Sequence, residues 1–123
     1  MIPEKLRQVL QHEGVVAIVT LGEDGPHAVN TWNSYLQLTE DERLLIPVGG
    51  MIRTEANLEK NHDILITLGT REVDGFRGPG TGFLISGTGA VMASGSSFDR
   101  VKAQFPWVRA ALEVSNLKAT QTL

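Results

Sequence analysis

The apolar positions of the chain form short blocks that turn sequences separate. β-Branched residues dominate positions 15–21, and the blocks 27–38 and 43–48 follow turns rich in glycine or acidic residues. This pattern predicts three strands, with the first two joined as a hairpin through residues 22–26. Three further strands are predicted at 64–70, 83–92 and 108–117.

Shorter segments favour helices, at residues 3–11, 54–60 and 98–105. The first has a proline in its first turn and ends before Gly14, and the last follows two serines that can act as N-caps and stops before Pro106. Residues 78–82 read Gly-Pro-Gly-Thr-Gly, which predicts a loop in which backbone segments approach closely.

Strands and helices do not alternate along the chain, which argues against a parallel α/β sheet. Five or six strands with a few short helices instead predict a mainly β fold, a small closed barrel with Greek-key connections. The 123 residues suit one domain that spans residues 1–123, because half of them could not build a sound core. A Rossmann fold is disfavoured, since no Gly-x-Gly-x-x-Gly follows the first strand and opens a helix.

Composition and charge exclude several classes of function. The chain has no cysteine, which excludes disulfides, thiolate metal centres and cysteine nucleophiles, so any redox role requires a bound cofactor. The 11 basic residues are scattered and the formal charge is -3, which argues against a nucleic-acid partner. No apolar stretch approaches the ~20 residues that cross a bilayer, and the first residues do not read as a signal peptide. We therefore expect a cytoplasmic protein without a membrane partner.

The strongest local signal is at residues 47–55, where a strand runs through two glycines into a helix start with Arg53 and Thr54. A helix start offers unpaired N–H groups and the positive end of the helix dipole, so an anion can bind there with both side chains as further donors. This pattern indicates a phosphate site. In the alternative interpretation, Thr54 only caps the helix and Arg53 is solvated.

A second signal is at residues 30–35, which read Asn-Thr-Trp-Asn-Ser-Tyr. In a strand, this order places polar side chains beside a large aromatic one on both faces. Amides can hydrogen-bond to ring heteroatoms and an indole can lie against a ring, so the segment suits a planar polar ligand. In the alternative, Trp32 and Tyr35 are ordinary core or surface residues of the sheet.

Other chemistry has little support in the sequence. His12, His27 and His62 are far apart and do not share ligand spacing, so we expect no metal site. No serine lies in a nucleophile-elbow context, and no catalytic residue is predicted.

Several longer motifs resemble a known family. They are Glu-Gly-Val-Val-Ala-Ile at 13–18, Gly-Glu-Asp-Gly-Pro-His at 22–27, Val-Asn-Thr-Trp-Asn-Ser-Tyr-Leu at 29–36, Pro-Val-Gly-Gly-Met at 47–51, Thr-Glu-Ala-Asn at 54–57, Gly-Pro-Gly-Thr-Gly-Phe-Leu-Ile at 78–85 and Gln-Thr-Leu at 121–123. Over nearly the whole chain these motifs resemble the small FMN-binding proteins of sulfate-reducing bacteria, in the flavin reductase and pyridoxamine 5′-phosphate oxidase-like superfamily. The resemblance implies a six-stranded antiparallel split β-barrel that forms a homodimer and binds one FMN per subunit non-covalently.

The resemblance also implies roles for individual residues. Arg53 and Thr54 hold the FMN phosphate, with Arg53 standing where the family has a lysine. The residues implied to line the flavin are Asn30, Thr31 and Trp32, with the backbone of Pro47, Val48, Gly49 and Gly50 at its polar edge. Trp107 and the last residue, Leu123, are implied to close the pocket from the second subunit. The stretch 99–107 departs most from the family pattern.

From the resemblance we expect an electron carrier in which FMN, at the dimer interface, supplies the redox chemistry. The alternative is a flavin reductase or a pyridoxamine-phosphate oxidase-like oxidoreductase, although no second basic cluster beyond Arg53 is present for its substrate. A third alternative is a non-catalytic binding module of the barrel type. The sequence does not identify the redox partner proteins.

Overall fold

The computed structural model describes residues 1–123 and is mainly β, with seven strands and three α-helices. Along the chain the elements are α1 (Glu4–Leu10), β1 (Val15–Gly22), β2 (Gly25–Trp32), β3 (Gln37–Leu38), β4 (Leu44–Val48), α2 (Ile52–Lys60), β5 (Asp63–Gly75), β6 (Gly78–Met92), α3 (Ser96–Gln104) and β7 (Ala110–Gln121). A 3₁₀ turn, Asn33–Tyr35, lies between β2 and β3. All three predicted helices are confirmed, within two residues of their predicted bounds.

The strands form one antiparallel sheet in the order β2-β1-β5-β6-β7-β4-β3. The predicted hairpin of β1 and β2 is present, with Val15 opposite Trp32. The antiparallel, mainly β character is therefore confirmed. The sheet is open rather than a closed barrel, because β2 pairs only with β1 and the two-residue β3 pairs only with β4.

The sheet has seven strands rather than the predicted six because the chain turns inward at Asn33, which ends the strand predicted at 27–38. The Asn33 side chain is fully buried, and its amide nitrogen donates to the carbonyl oxygens of His12 and Gly69, each at 3.0 Å. Its backbone N–H donates to Gly14 O at 2.9 Å. These bonds hold a 3₁₀ turn at this point, so one predicted strand becomes β2 and β3.

The prediction of a loop at residues 78–82 is wrong, because this segment begins β6 and pairs with β5. The glycines that permit the close strand contact lie opposite this segment, on β5. A Cβ at Gly69 would lie 2.6 Å from Thr81 O, and one at Gly75 would collide with Gly80 O. The expected close approach of backbone segments is confirmed, but within a β-hairpin.

The core lies on one face of the sheet, beneath α1 and α2. It contains 19 buried apolar residues, the largest of which include Phe83, Leu6 and Ile18. A smaller apolar cluster beneath α3 contains Leu45 and Val101. None of the three helices is long and apolar enough to span a bilayer.

The other face of the sheet carries exposed apolar side chains, and we call it the outer face. It comprises Val15 and Leu21 on β1, Trp32 on β2, Leu65 on β5 and Leu84 on β6, which are 36–52% exposed. Period-2 alternation in β1 and β5 buries the intervening residues on the core side. Nothing in the single chain covers the outer face.

Candidate functional site

The first element of the site is the start of α2, which follows β4 through Gly49 and Gly50. The helix begins at Ile52, two residues before the prediction, and its N-cap is Met51, in the left-handed conformation with φ 57° and ψ 36°. No side chain caps the helix. The interpretation of Thr54 as the cap is therefore wrong, and Thr54 lies inside the first turn.

The Thr54 hydroxyl is a buried polar group without a partner. The residue is 1% exposed, and its Oγ1 makes no hydrogen bond within the chain. The amides of the first helical turn also have no helical acceptor, since the first N–H to reach one is that of Glu55, which donates to Met51 O at 3.0 Å. Leaving a buried hydroxyl unpaired costs about 1–3 kcal/mol, so this donor set fits a bound anion.

Arg53 supplies a free positive charge beside that helix start. Its side chain is exposed and takes part in no hydrogen bond or ion pair of the chain. It lines a cleft of about 720 Å³ between α2 and the β1–β2 hairpin, whereas Thr54 and the glycine turn do not line this cleft. Asn57 fixes the helix on β1, because its Nδ2 donates to Thr20 Oγ1 at 3.1 Å.

Pro47 and Val48 contribute through their main chain, because both side chains are buried. On one side their strand pairs with β7, Val48 lying opposite Ala110. On the other side β3 covers only Leu44 and Leu45. The main chain of the last residues of β4 therefore has no strand on that side, which leaves a free backbone edge just before the two glycines.

Trp107 lies against the glycine turn of its own chain. A Cβ at Gly49 would be 3.2 Å from the indole ring, so glycine leaves room for the ring here. The ring centroid of Trp107 is 6.1 Å from that of Tyr35 and 5.9 Å from that of Phe105. Trp107 is 55% exposed, so the aromatic cluster forms an open wall beside the turn.

The three predicted residues of β2 divide between its two faces. Asn30 and Trp32 are exposed on the outer side, whereas half-buried Thr31 lies opposite buried Val16 on the core side, the side that α2 covers. The Asn30 side-chain amide already donates to Val16 O at 3.1 Å. The structure thus places Thr31 on the side of Thr54, and Trp32 on the outer face.

Leu123 lies far along β7 from the glycine turn of its own chain. The strand runs from Ala110, opposite Val48, to Gln121, about 36 Å at the usual rise per residue. The main-chain oxygen of Leu123 accepts a hydrogen bond from Thr81 Oγ1 at 2.7 Å, which holds the end of this segment against β6. Its side chain is 59% exposed, in a hollow that Glu13 and Val15 also line.

Glu13 lies just before β1 and hydrogen-bonds to Ser34, which lies just after β2 and Trp32. Its carboxylate accepts the Ser34 hydroxyl at 2.6 Å and the Ser34 N–H at 3.1 Å. The hydroxyl bond, followed by the amide bond, lowers the pKa of Glu13 below its ordinary value of 4.5. The ionised carboxylate therefore fixes the segment that follows Trp32.

We expect Glu13→Gln to flatten the acid limb of the stability profile. A carboxyl whose pKa is depressed by folding stabilises the protein above its unfolded pKa, and this stabilisation is lost as the pH falls through the lower folded value. Urea unfolding between pH 7 and pH 3 checks this: wild-type stability should fall below about pH 4.5 more steeply than that of the variant. Glu40→Gln, at an exposed glutamate, is the control. Parallel profiles for wild type and Glu13→Gln would contradict the assignment.

Sequence reasoning missed Arg109, Glu55 and Tyr35 as parts of the site. Arg109 binds the carbonyl oxygens of both turn glycines and pairs with Glu55 at 2.8 Å. No local pattern marks Arg109, because its partners lie about 60 residues earlier. Tyr35 had a signal in the 30–35 motif. No group of three His, Cys, Asp or Glu side chains is placed to hold a metal ion.

The chain belongs to the pyridoxamine 5′-phosphate oxidase family, whose family model matches residues 2–121. A protein named FMN-binding protein, from Nitratidesulfovibrio vulgaris, is 53% identical over 123 residues, which covers 100% of both chains. The resemblance inferred from the motifs is therefore confirmed.

Solved structures share the same fold at low sequence identity. Group A Streptococcus HupZ matches with a TM-score of 0.79 at 16% identity, over 98% of this chain and 94% of that one. An FMN-binding protein from Syntrophomonas wolfei matches with a TM-score of 0.67 at 15% identity, over 98% and 86% of the two chains. At these identities the likeness concerns the fold alone.

Proposed function

We propose that the chain binds FMN non-covalently and acts as a small electron-transfer protein. The observation that carries the proposal is the unpartnered, buried Thr54 hydroxyl in the first turn of α2, beside the free guanidinium of Arg53. A phosphate monoester offers acceptor oxygens to both groups and to the free amides of the turn. The 53% identical relative carries the name FMN-binding protein, which supports the same cofactor here.

The remaining groups of the site suit the ring system of FMN, which supplies one- and two-electron chemistry when bound. The main-chain edge at Pro47 and Val48, which β3 leaves uncovered, can face a heteroaromatic edge, although Pro47 has no N–H and Val48 O already accepts the Arg109 N–H. The exposed ring of Trp107, fixed between Gly49 and Tyr35, provides an apolar wall. Together these groups orient the flavin and exclude water from part of it.

We also propose that a second copy covers the outer face and completes the site as a homodimer. The outer face carries apolar side chains on four neighbouring strands, since Val15 lies opposite Trp32, Leu65 lies opposite Val19 and Thr67, two residues further on, lies opposite Leu84. Trp32 and the exposed Leu123 side chain lie at the same end of the sheet. The resemblance implies that Trp107 and Leu123 both reach the pocket from the second subunit. Because Trp107 packs on Gly49 of its own chain, we assign it to its own flavin, and we assign Leu123, which is far along β7 from that turn, to the partner's flavin.

The electron-carrier role rests on the charges around the cleft. Beyond Arg53, the nearest cation on the same helix is Lys60, which is paired with Glu23 at 3.0 Å. A nicotinamide dinucleotide or a second phosphorylated substrate requires further cations of its own. The family name favours one alternative, a flavin reductase or pyridoxamine-phosphate oxidase-like oxidoreductase.

The first experiment is a visible absorption spectrum of the protein purified without added cofactor, followed by acid release and chromatography of the flavin. We expect FMN at about one per subunit. A colourless protein that does not quench added FMN would refute the proposal. Stopped-flow mixing of the FMN-loaded protein with NADH or NADPH separates the roles, since fast saturable reduction would establish the enzyme alternative.

We expect Thr54→Val to have opposite effects on stability and on binding. Valine keeps the shape but removes the buried unpaired hydroxyl, so urea unfolding of the cofactor-free protein should show equal or higher stability, by up to about 1 kcal/mol. FMN affinity should fall about tenfold, because one hydrogen bond to the phosphate is lost.

Thr20→Val is the matched control for Thr54→Val. Thr20 is equally buried, at 1% exposure, but its hydroxyl accepts a hydrogen bond from Asn57. This control should destabilise the protein by about 1–3 kcal/mol while leaving the FMN affinity of the folded protein within about twofold. An unchanged FMN affinity in Thr54→Val would remove Thr54 from the site.

A further inference from the structure

Arg109 uses all three nitrogens of its guanidinium on the segment that leads into α2. Nε donates to Gly49 O at 3.0 Å, Nη2 donates to Gly50 O at 2.6 Å, and Nη1 pairs with Glu55 Oε1 at 2.8 Å. Its backbone N–H also donates to Val48 O at 2.9 Å. One residue at the start of β7 therefore holds the end of β4, both turn glycines and the first turn of the helix.

This arrangement sets the direction of two amides. In a trans peptide, the carbonyl of one residue and the N–H of the next point to opposite sides of the chain, and no cis peptide is present. Because the carbonyls of Gly49 and Gly50 point at Arg109, the N–H groups of Gly50 and Met51 point away from it. Neither amide donates to an acceptor within the chain. They add two oriented donors to the free amides of the helix start.

The same guanidinium neutralises the acidic residue closest in sequence to the phosphate donors. Glu55 directly follows Thr54, and its side chain is 31% exposed. An unpaired carboxylate there would repel an anion at the helix start. The ion pair with Arg109 cancels most of that charge, so Glu55 can remain in the first turn without opposing the ligand.

We propose that Arg109 is a positioning residue that orients the Gly50 and Met51 amides toward the flavin phosphate and thereby sets the preference for FMN over riboflavin. The inference rests on the proposed FMN binding. The guanidinium of Arg109 is occupied by two carbonyl oxygens and a carboxylate, so it does not contact the phosphate directly. It acts on the phosphate through the backbone amides that it orients. Lysine can replace its charge but not its three-way fork.

The test compares the Kd values of FMN and riboflavin for the cofactor-free full chain by fluorescence quenching. For Arg109→Ala we expect FMN affinity to fall about tenfold or more and riboflavin affinity to change less than about twofold. Arg109→Lys should recover only part of the FMN preference. Arg7→Ala is the control, because Arg7 is comparably exposed and also ion-paired, 3.4 Å from Glu42, but contacts neither turn glycine. If Arg109→Ala does not fold by circular dichroism, Arg109→Lys carries the comparison.

The double variant Arg109→Ala/Glu55→Gln separates backbone orientation from charge. The proposal expects the double variant to remain several-fold weaker for FMN than wild type, because the two carbonyls are still unbraced. Full recovery would overturn the orientation role, and so would an equal loss of FMN and riboflavin binding in Arg109→Ala. A wild-type protein that binds neither flavin, or both equally, would instead refute the proposed function itself.

Discussion

Replacement of Arg53 by alanine is expected to weaken FMN binding by about a hundredfold while changing riboflavin binding by less than about threefold. The guanidinium has no partner in the chain, so its full hydrogen-bonding capacity is available to a phosphate. Riboflavin has the same ring system but no phosphate, so it should not sense the loss. Fluorescence quenching titrations with both flavins measure the two affinities.

Arg53→Ala should change phosphate binding without changing the stability of the fold. Because the side chain is exposed and unpaired, its removal should leave the unfolding free energy within about 0.5 kcal/mol of wild type. Arg77→Ala is a suitable control, since Arg77 is an exposed arginine at the β5–β6 turn. Arg53→Lys should retain most of the preference for FMN over riboflavin, because lysine keeps the positive charge. Some preference should be lost, because lysine is a point charge and cannot form the two-pronged contact of a guanidinium. Equal losses for FMN and riboflavin would remove the phosphate role.

Replacement of Leu65 by glutamate is expected to convert a dimer into a monomer. Leu65 is 45% exposed at the middle of the outer face, and a carboxylate buried between two copies would lack a partner. FMN affinity should fall with the dimer, because Trp32 lies on the same face and Leu123 at its edge. Light scattering coupled to gel filtration and a flavin titration measure the two effects.

Ala103→Glu is the control for Leu65→Glu. Ala103 is exposed on α3, which contributes no residue to the outer face, so this charge should leave the dimer intact. The Leu65→Glu monomer should remain folded, with a thermal stability close to that of a wild-type chain outside the dimer. The reason is that Leu65 contributes little to the core. If Leu65→Glu stays dimeric with unchanged FMN affinity, the outer face is not the interface.

The hydrophobic pattern predicted the strands well where local alternation and burial agree. In β1 the buried positions Val16 and Ile18 alternate with exposed or half-buried ones, as in a strand with one face in a core. The prediction failed at Asn33, because its side-chain amide turns the chain inward by donating to the carbonyl oxygens of His12 and Gly69. An asparagine in an extended motif carries no local sign of carbonyl partners so far along the chain.

The glycine-rich segment at 78–82 shows a similar limit. Glycine content signals a close backbone approach, and that part was correct. Whether the approach occurs in a loop or between paired strands depends on the partner, here the backbone of Gly69 and Gly75 on β5. Sequence propensity treats glycine as a strand breaker, and strand pairing overrode it.

In the candidate site too, the local features could be predicted from the sequence and the long-range contacts could not. The residues at 47–54 predicted a turn into a helix start with a cation and a hydroxyl, because these features are local. Arg109 could not be predicted, since its three acceptors become neighbours only when β7 pairs with β4. The location of Trp107 against Gly49 follows from the same pairing.

The sequence by itself determined the antiparallel, mainly β class of this protein, its three helices and its family, and it predicted a phosphate site at residues 47–55. These follow from hydrophobic periodicity, glycine placement and contiguous motifs, which act over a few residues. Only the tertiary structure decided that Thr54 is buried without a partner, that Trp32 lies on the outer face and that Arg109 braces the glycine turn. These properties depend on strand order and register, which bring together residues as much as 70 positions apart.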